Sequence, residues 1–172
     1  MRLLLNSIFD ATMALAGVFM IGTLLAVLSS IAGRVYPPLG IAGADAYAGY
    51  CMAASAFLAL ASTLRRGEHI RVTLFINRLS PRGHRALDLF CHVVALAIAS
   101  VLAWYSVHLV RQSFAFNDIS TGLDATPLWI PQLGMALGAT VFALAFAVDL
   151  ADLFAGRTSG RPSADDLPAH TE

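Results

Sequence analysis

The stretch LDLFCHVVALAIASVLAWYSVHLVR, residues 87–111, decides the fold. Between Asp88 and Arg111 roughly 22 residues pass without an Asp, Glu, Lys or Arg, and at 1.5 Å per residue a helix of that length crosses a hydrocarbon core of about 30 Å. The pattern recurs between Asp10 and Arg34, between Asp45 and Arg65, and between Asp124 and Asp149. Across the 172 residues 58% are hydrophobic and 13% charged, with a mean hydropathy of +0.70, whereas soluble domains carry about a quarter charged residues. A soluble bundle of helices apolar all round would need more polar surface than the connecting segments supply. Lipid offers the backbone no hydrogen-bond partner, so helices are expected rather than weakly patterned barrel strands. The expected fold is an all-α integral membrane protein with four transmembrane helices. Residues 1–155 form one four-helix membrane domain with spans at about 9–33, 46–64, 87–110 and 131–154, and residues 156–172, rich in Gly, Ser, Pro and charge, read as a disordered cytoplasmic tail.

The net charge is +0 and by itself excludes no partner, but the charges are unevenly placed. All 11 basic residues are Arg; Arg2 precedes the first span, six lie between the second and third, and two lie in the tail. Only Arg34 and Arg111 fall on the other side, so the positive-inside rule puts both termini and the Arg-rich segment in the cytoplasm. Guanidinium forks suit phosphates, which rests that segment on the lipid head groups. Cys51 and Cys91 sit in separate spans without ligand spacing and read as packing residues. A small-x-small site at Ser30-Ile31-Ala32 follows an apolar run too long for a signal peptide, so the first span is expected to be retained.

Tyr36-Pro37-Pro38 must turn the chain outside the membrane. In the second span Ser55, Ala59 and Thr63 recur every fourth position, as do Gly49 and Ala53. In lipid, where helices associate by close packing, that pattern reads as a contact face; it also reads as small residues merely tolerated in a membrane. Gly67 permits a sharp break, after which Ile70, Leu74 and Phe75 share one side, as in a short amphipathic surface helix that ends before Ser80-Pro81. At the entry to the fourth span, Pro131 in a first turn needs no donor and Trp129 suits the interface. Gly134 and Gly138 then make a GxxxG.

Ionisable groups inside a bilayer are expensive and mark function, and here few occur. His92 and His108 alone lie well inside a span, and 16 residues along one helix set them about 24 Å apart, too far to ligate one haem. A neutral role, hydrogen-bonded between helices, is the expected one. Trp104-Tyr105 in the middle of the third span reads either as a ligand surface or, more commonly, as packing against a partner helix. No nucleophile motif, phosphate loop, metal-ligand spacing or catalytic carboxylate pair is present, so no catalytic residue, cofactor or metal is expected, and no nucleic-acid partner. The residues describe a four-span protein whose role is to bind another membrane protein.

The segment AFLALASTLRRGEHIRVTLFINRLSP, residues 56–81, carries a resemblance. A small-residue helix followed by Arg65, Arg66, Gly67, Glu68, His69, Arg71 and Val72 resembles the small membrane subunit of tripartite ATP-independent periplasmic (TRAP) transporters, the DctQ-like family. Arg34 after the first span and Pro127, Trp129 and Pro131 before the fourth also look like that family. The resemblance implies a multi-pass subunit of the bacterial inner membrane that joins a large multi-span, DctM-like permease subunit. It implies work with a periplasmic solute-binding protein in sodium-driven import of organic acids, dicarboxylates or other carboxylates. The sodium and substrate sites would then belong to the large subunit, and this chain would be a scaffold contacting it and the membrane lipids. On that reading Arg65, Arg66 and Arg71 set orientation, while Glu68 and His69 fix the break at Gly67. Two alternatives come from other classes. One is a haem- or quinone-associated anchor of a respiratory oxidoreductase, using His92 or His108; the other is a free-standing small exporter.

Overall fold

The computed structural model describes residues 2–65, 81–122 and 124–154. Four helices account for nearly all of them: α1 (Arg2–Val35), α2 (Ala44–Arg65), α3 (Pro81–Phe116) and α4 (Trp129–Phe154). All four are long and apolar enough to cross a membrane. Among the described residues the only β-type pairing is a single antiparallel bridge, Ile119 with Pro127. The helices outrun the charge-free stretches, most of all α3, which begins at Pro81 and ends at Phe116. A charge marks where hydrocarbon gives way to water, whereas a helix stops only where its backbone bonds stop. Pro81 suits a first helical position, where its missing N–H would be unbonded anyway.

Two hairpins make the bundle. In the first, a single 3-10 turn at Pro37–Leu39 reverses the chain between α1 and α2. Gly33 and Gly40 touch across this turn: a Cβ on Gly33 would lie 2.5 Å from the Gly40 Cα. In the second, residues 117–128 join α3 to α4. Each hairpin is packed along its length, and the hairpins join through α2 against α4, which leaves α1 and α3 on opposite flanks. Only 11% of each flanking span is buried, against 28% of each central one.

Both short connections lie at one end of the bundle, called here the loop end. Toward the other end, Phe9 of α1, Ala61 and Leu64 of α2, Ala99 of α3, and Ala145 and Phe146 of α4 form one buried cluster. The start of α1 and the end of α4 therefore belong to the same end, as an even number of spans requires. The tail from residue 156 and the proposed surface helix between α2 and α3 lie outside the described residues.

Candidate functional site

The central seam is built on small residues. A Cβ on Gly138 would lie 2.5 Å from the Phe57 carbonyl carbon and 2.7 Å from the Leu58 nitrogen, and one on Gly134 would lie 2.7 Å from the Ala54 Cβ. The GxxxG of α4 thus lies directly on the backbone of α2, where no larger side chain fits. The α2 face that receives it carries Ala54 and Leu58, both buried. Of the small residues that recur in α2, Gly49 has open space around its Cβ position and Ala53 is exposed, so these two stand outside the seam. Ser55 turns toward α1 and donates to the Ala16 carbonyl at 2.9 Å. Ala59 is half-buried, and Thr63 donates to the Leu60 carbonyl of its own helix. Ser62 adds a 3.0 Å contact to the Met13 sulfur.

At the loop end the two hairpins are tied by a polar cluster. Ser120 donates to Asp124 Oδ1 at 2.8 Å, and the Tyr50 hydroxyl lies 3.1 Å from both Asp124 Oδ2 and Ser120 Oγ. Because Ser120 spends its proton on the carboxylate, Tyr50 supplies the bond to Oδ2. The Thr126 and Tyr47 hydroxyls lie 3.2 Å apart, and the Tyr47 and Tyr50 rings meet edge to face. Desolvation works against the charged Asp124, but the hydrogen bonds from Ser120, Thr126, the backbone and Tyr50 outweigh it and hold the carboxyl below its ordinary value. Gly43 lets the loops meet: its φ is +76°, and a Cβ there would lie 2.6 Å from the Asp124 Cβ. This cluster joins residues more than seventy positions apart, and no local pattern announces it. Its one sequence trace is Tyr47 and Tyr50 one helical turn apart at the start of α2.

Arg34 reaches Asp45 at 3.9 Å across the first hairpin, where Ser30 also donates to Asp45 at 2.6 Å; both members of the ion pair are exposed. Pro127 forms the bridge to Ile119 and accepts from the Ile130 N–H at 3.2 Å. Trp129 opens α4 and packs edge to face on Phe114, with ring centroids 5.6 Å apart. Pro131 falls in the first turn of α4, where its lack of an N–H leaves no bond unmade. Arg65 closes α2, whereas Arg66, Gly67, Glu68, His69, Arg71 and Val72 lie outside the described residues.

His92 is buried, with Nδ1 2.8 Å from the Asp88 carbonyl of its own helix, while His108 is exposed. Among the described residues no three His, Cys, Asp or Glu side chains come together as a metal site would require. Trp104 and Tyr105 stand largely clear of the described residues: they are 73% and 66% exposed.

The family model of the DctQ component of the tripartite ATP-independent periplasmic transporters matches residues 23–156, most of the chain. The chain belongs to this DctQ family. It is a small subunit of a TRAP transporter, a multi-pass membrane component of a tripartite system that also comprises a large permease subunit and a solute-binding protein. No curated protein matches the chain. The DctQ match is to a transporter component rather than an enzyme, and the oxidoreductase-anchor alternative finds no support in the placement of His92 and His108. For a DctQ subunit the loop-end cluster and the Gly134–Gly138 seam have one shared consequence. They lock two hairpins into a unit with two broad flanks, and each flank is free to meet lipid or another protein.

Proposed function

We propose that this DctQ subunit is the stationary scaffold of a sodium-driven importer of organic acids, with sodium and solute bound by the large permease subunit. The observation that carries this reading is a membrane-embedded bundle held by an inextensible small-residue seam, in a chain that belongs to a transporter family. A seam of backbone packed on backbone leaves the two helices little room to shift, which suits a fixed part. Orientation follows from the Arg distribution: both termini and the segment 65–85 face the cytoplasm, and the loop-end cluster faces the periplasm across the inner membrane. A surface helix after Gly67, with Arg65, Arg66 and Arg71 at the head groups and Glu68 and His69 bonded locally, completes the cytoplasmic side.

The deciding experiment reconstitutes the three components in vesicles and follows sodium-dependent uptake of labelled dicarboxylates and monocarboxylates with and without this chain. Uptake that needs both sodium and this chain supports the scaffold reading. Equal uptake by the large subunit and binding protein alone would overturn it. Glu68→Ala and His69→Ala are expected to lower the yield of the assembled pair, and an unchanged yield would leave the Arg cluster a purely orienting role. A fluorescent or phosphatase fusion at Gly156 tests the cytoplasmic placement of the tail.

A further inference from the structure

The two flanks are equally bare but chemically different. On α1 every exposed residue from Ala11 to Ile31 is Ala, Gly or a larger apolar residue; its polar residues Thr12 and Thr23 bond back to their own helix, and Ser29 and Ser30 bond across the first hairpin to Ile41 and Asp45. Lipid satisfies such a face. On α3 the exposed face carries Ser100, Trp104, Tyr105 and His108, and none of these four side chains makes a hydrogen bond among the described residues. Their depth is set by the Phe114–Trp129 ring pair at the mouth of α4. Ten residues down the helix, Trp104 lies about 15 Å below that pair; measured from Arg111, where the charge-free stretch ends, Trp104 is about 10 Å, Tyr105 about 9 Å and His108 about 4.5 Å inside the span. Trp and Tyr that face lipid gather at the two interfaces, where the indole N–H and phenol O–H reach water. A histidine inside a span faces protein or a wet cavity. Below the level of Arg111 acyl chains offer the indole and the phenol nothing to bond.

We infer that the Trp104–Tyr105–His108 face of α3 is the seam on which the large permease subunit docks, through a membrane helix that presents hydrogen-bond acceptors within the hydrocarbon and small residues beside the indole. This rests on the reading of the chain as a TRAP small subunit. A second copy of the chain fits less well. Paired about a two-fold axis through this face, it would set the bulky Trp104 and Tyr105 rings against themselves, where close helix approach in lipid calls for small residues.

The test places the photo-crosslinker p-benzoylphenylalanine at Trp104, and separately at Leu24 on α1, in full-length chain co-expressed with its tagged permease subunit in intact membranes. The expected result is a permease adduct from position 104 and at least about tenfold less from position 24, a ratio matching the difference between a packed contact and passing lipid. A permease adduct from position 24 alone, an adduct with a second copy of this chain, or a lipid adduct only from position 104 would each overturn the assignment. Failure of the wild-type chain to co-purify with the permease overturns the subunit reading itself, and is seen before any crosslinking. The double variant Trp104→Leu with Tyr105→Leu gives an independent readout. Lipid prefers Leu, so a lipid-covered face would leave permease yield unchanged and overturn the proposal. A docked face loses most of the co-purified permease while the melting temperature of the isolated chain stays as it was.

Discussion

The outer face of α1 and the outer face of α3 bury the same small share of their spans, yet from residue 11 to 31 the first exposes only apolar residues, while the second carries indole, phenol and imidazole inside its span. Extent of exposure therefore says little in a membrane protein, because lipid and a partner helix both accept apolar surface. The hydrogen-bonding groups separate the two cases: hydrocarbon solvates none of them, and a partner helix can. Between these flanks the α2–α4 seam is common ground, and it sets the scale for each way of disturbing them.

The largest effect is expected from Gly138→Leu. Its side chain would enter backbone of α2 at 2.5–2.7 Å, which cannot yield as the end of a flexible side chain would. The hairpins should separate, with a loss of about 3 kcal/mol or more, visible as aggregation or a collapsed thermal transition in detergent. Both flanks would go with it; if only assembly through α3 failed and the isolated chain melted normally, the seam would not be what holds the flanks apart. Next is Ser55→Ala, which removes the bond from α2 to the Ala16 carbonyl. Interhelical bonds of this kind are worth about 0.6 kcal/mol on average in a bilayer, so α1 should loosen slightly while permease yield holds. Leu24→Ala on the bare face of α1 should fall within about 0.5 kcal/mol of wild type and leave assembly unchanged. A large assembly defect from that change would erase the contrast between the flanks.

The smallest effect is one of pH at the loop end. Asp124 is held below its ordinary value, so its stabilisation is complete above the unfolded carboxylate pKa of about 3.9 and is lost as pH falls through the lower folded value. Amide exchange in residues 117–128 should therefore match at pH 7 and pH 5, after correction for intrinsic rates, and rise below about pH 4. Asp124→Asn should remove that acid response. An acid response that survives the change would have to come from another carboxylate.

Much of this was legible beforehand. Four spans follow from charge-free runs because crossing a membrane is a property of composition over about twenty residues. The DctQ family was legible from the segment 56–81, although most of that motif lies outside the described residues. Pro131 and Trp129 marked the mouth of α4 through the chemistry of a first turn and an interface. Helix ends were less legible, since α3 runs on to Pro81 and Phe116, beyond the charges that bound its apolar stretch. The small residues of α2 were ambiguous for a physical reason. A helix apolar on every side has no amphipathic face, and choosing between the Gly49–Ala53 line and the Ala54–Leu58 line takes the partner's surface.

What the sequence determined alone was solvent: which segments lie in lipid, and the family that shares the pattern. Local composition is enough for that, because transfer from water to hydrocarbon is close to a sum over residues. What only the tertiary structure decided was neighbourhood. It set α2 against α4 through Gly134 and Gly138, brought Tyr50 to Asp124 across seventy-four positions, and turned Trp104 and Tyr105 away from the bundle. Contacts of that kind depend on shape and on bonds between distant residues, and no sum along the chain contains them.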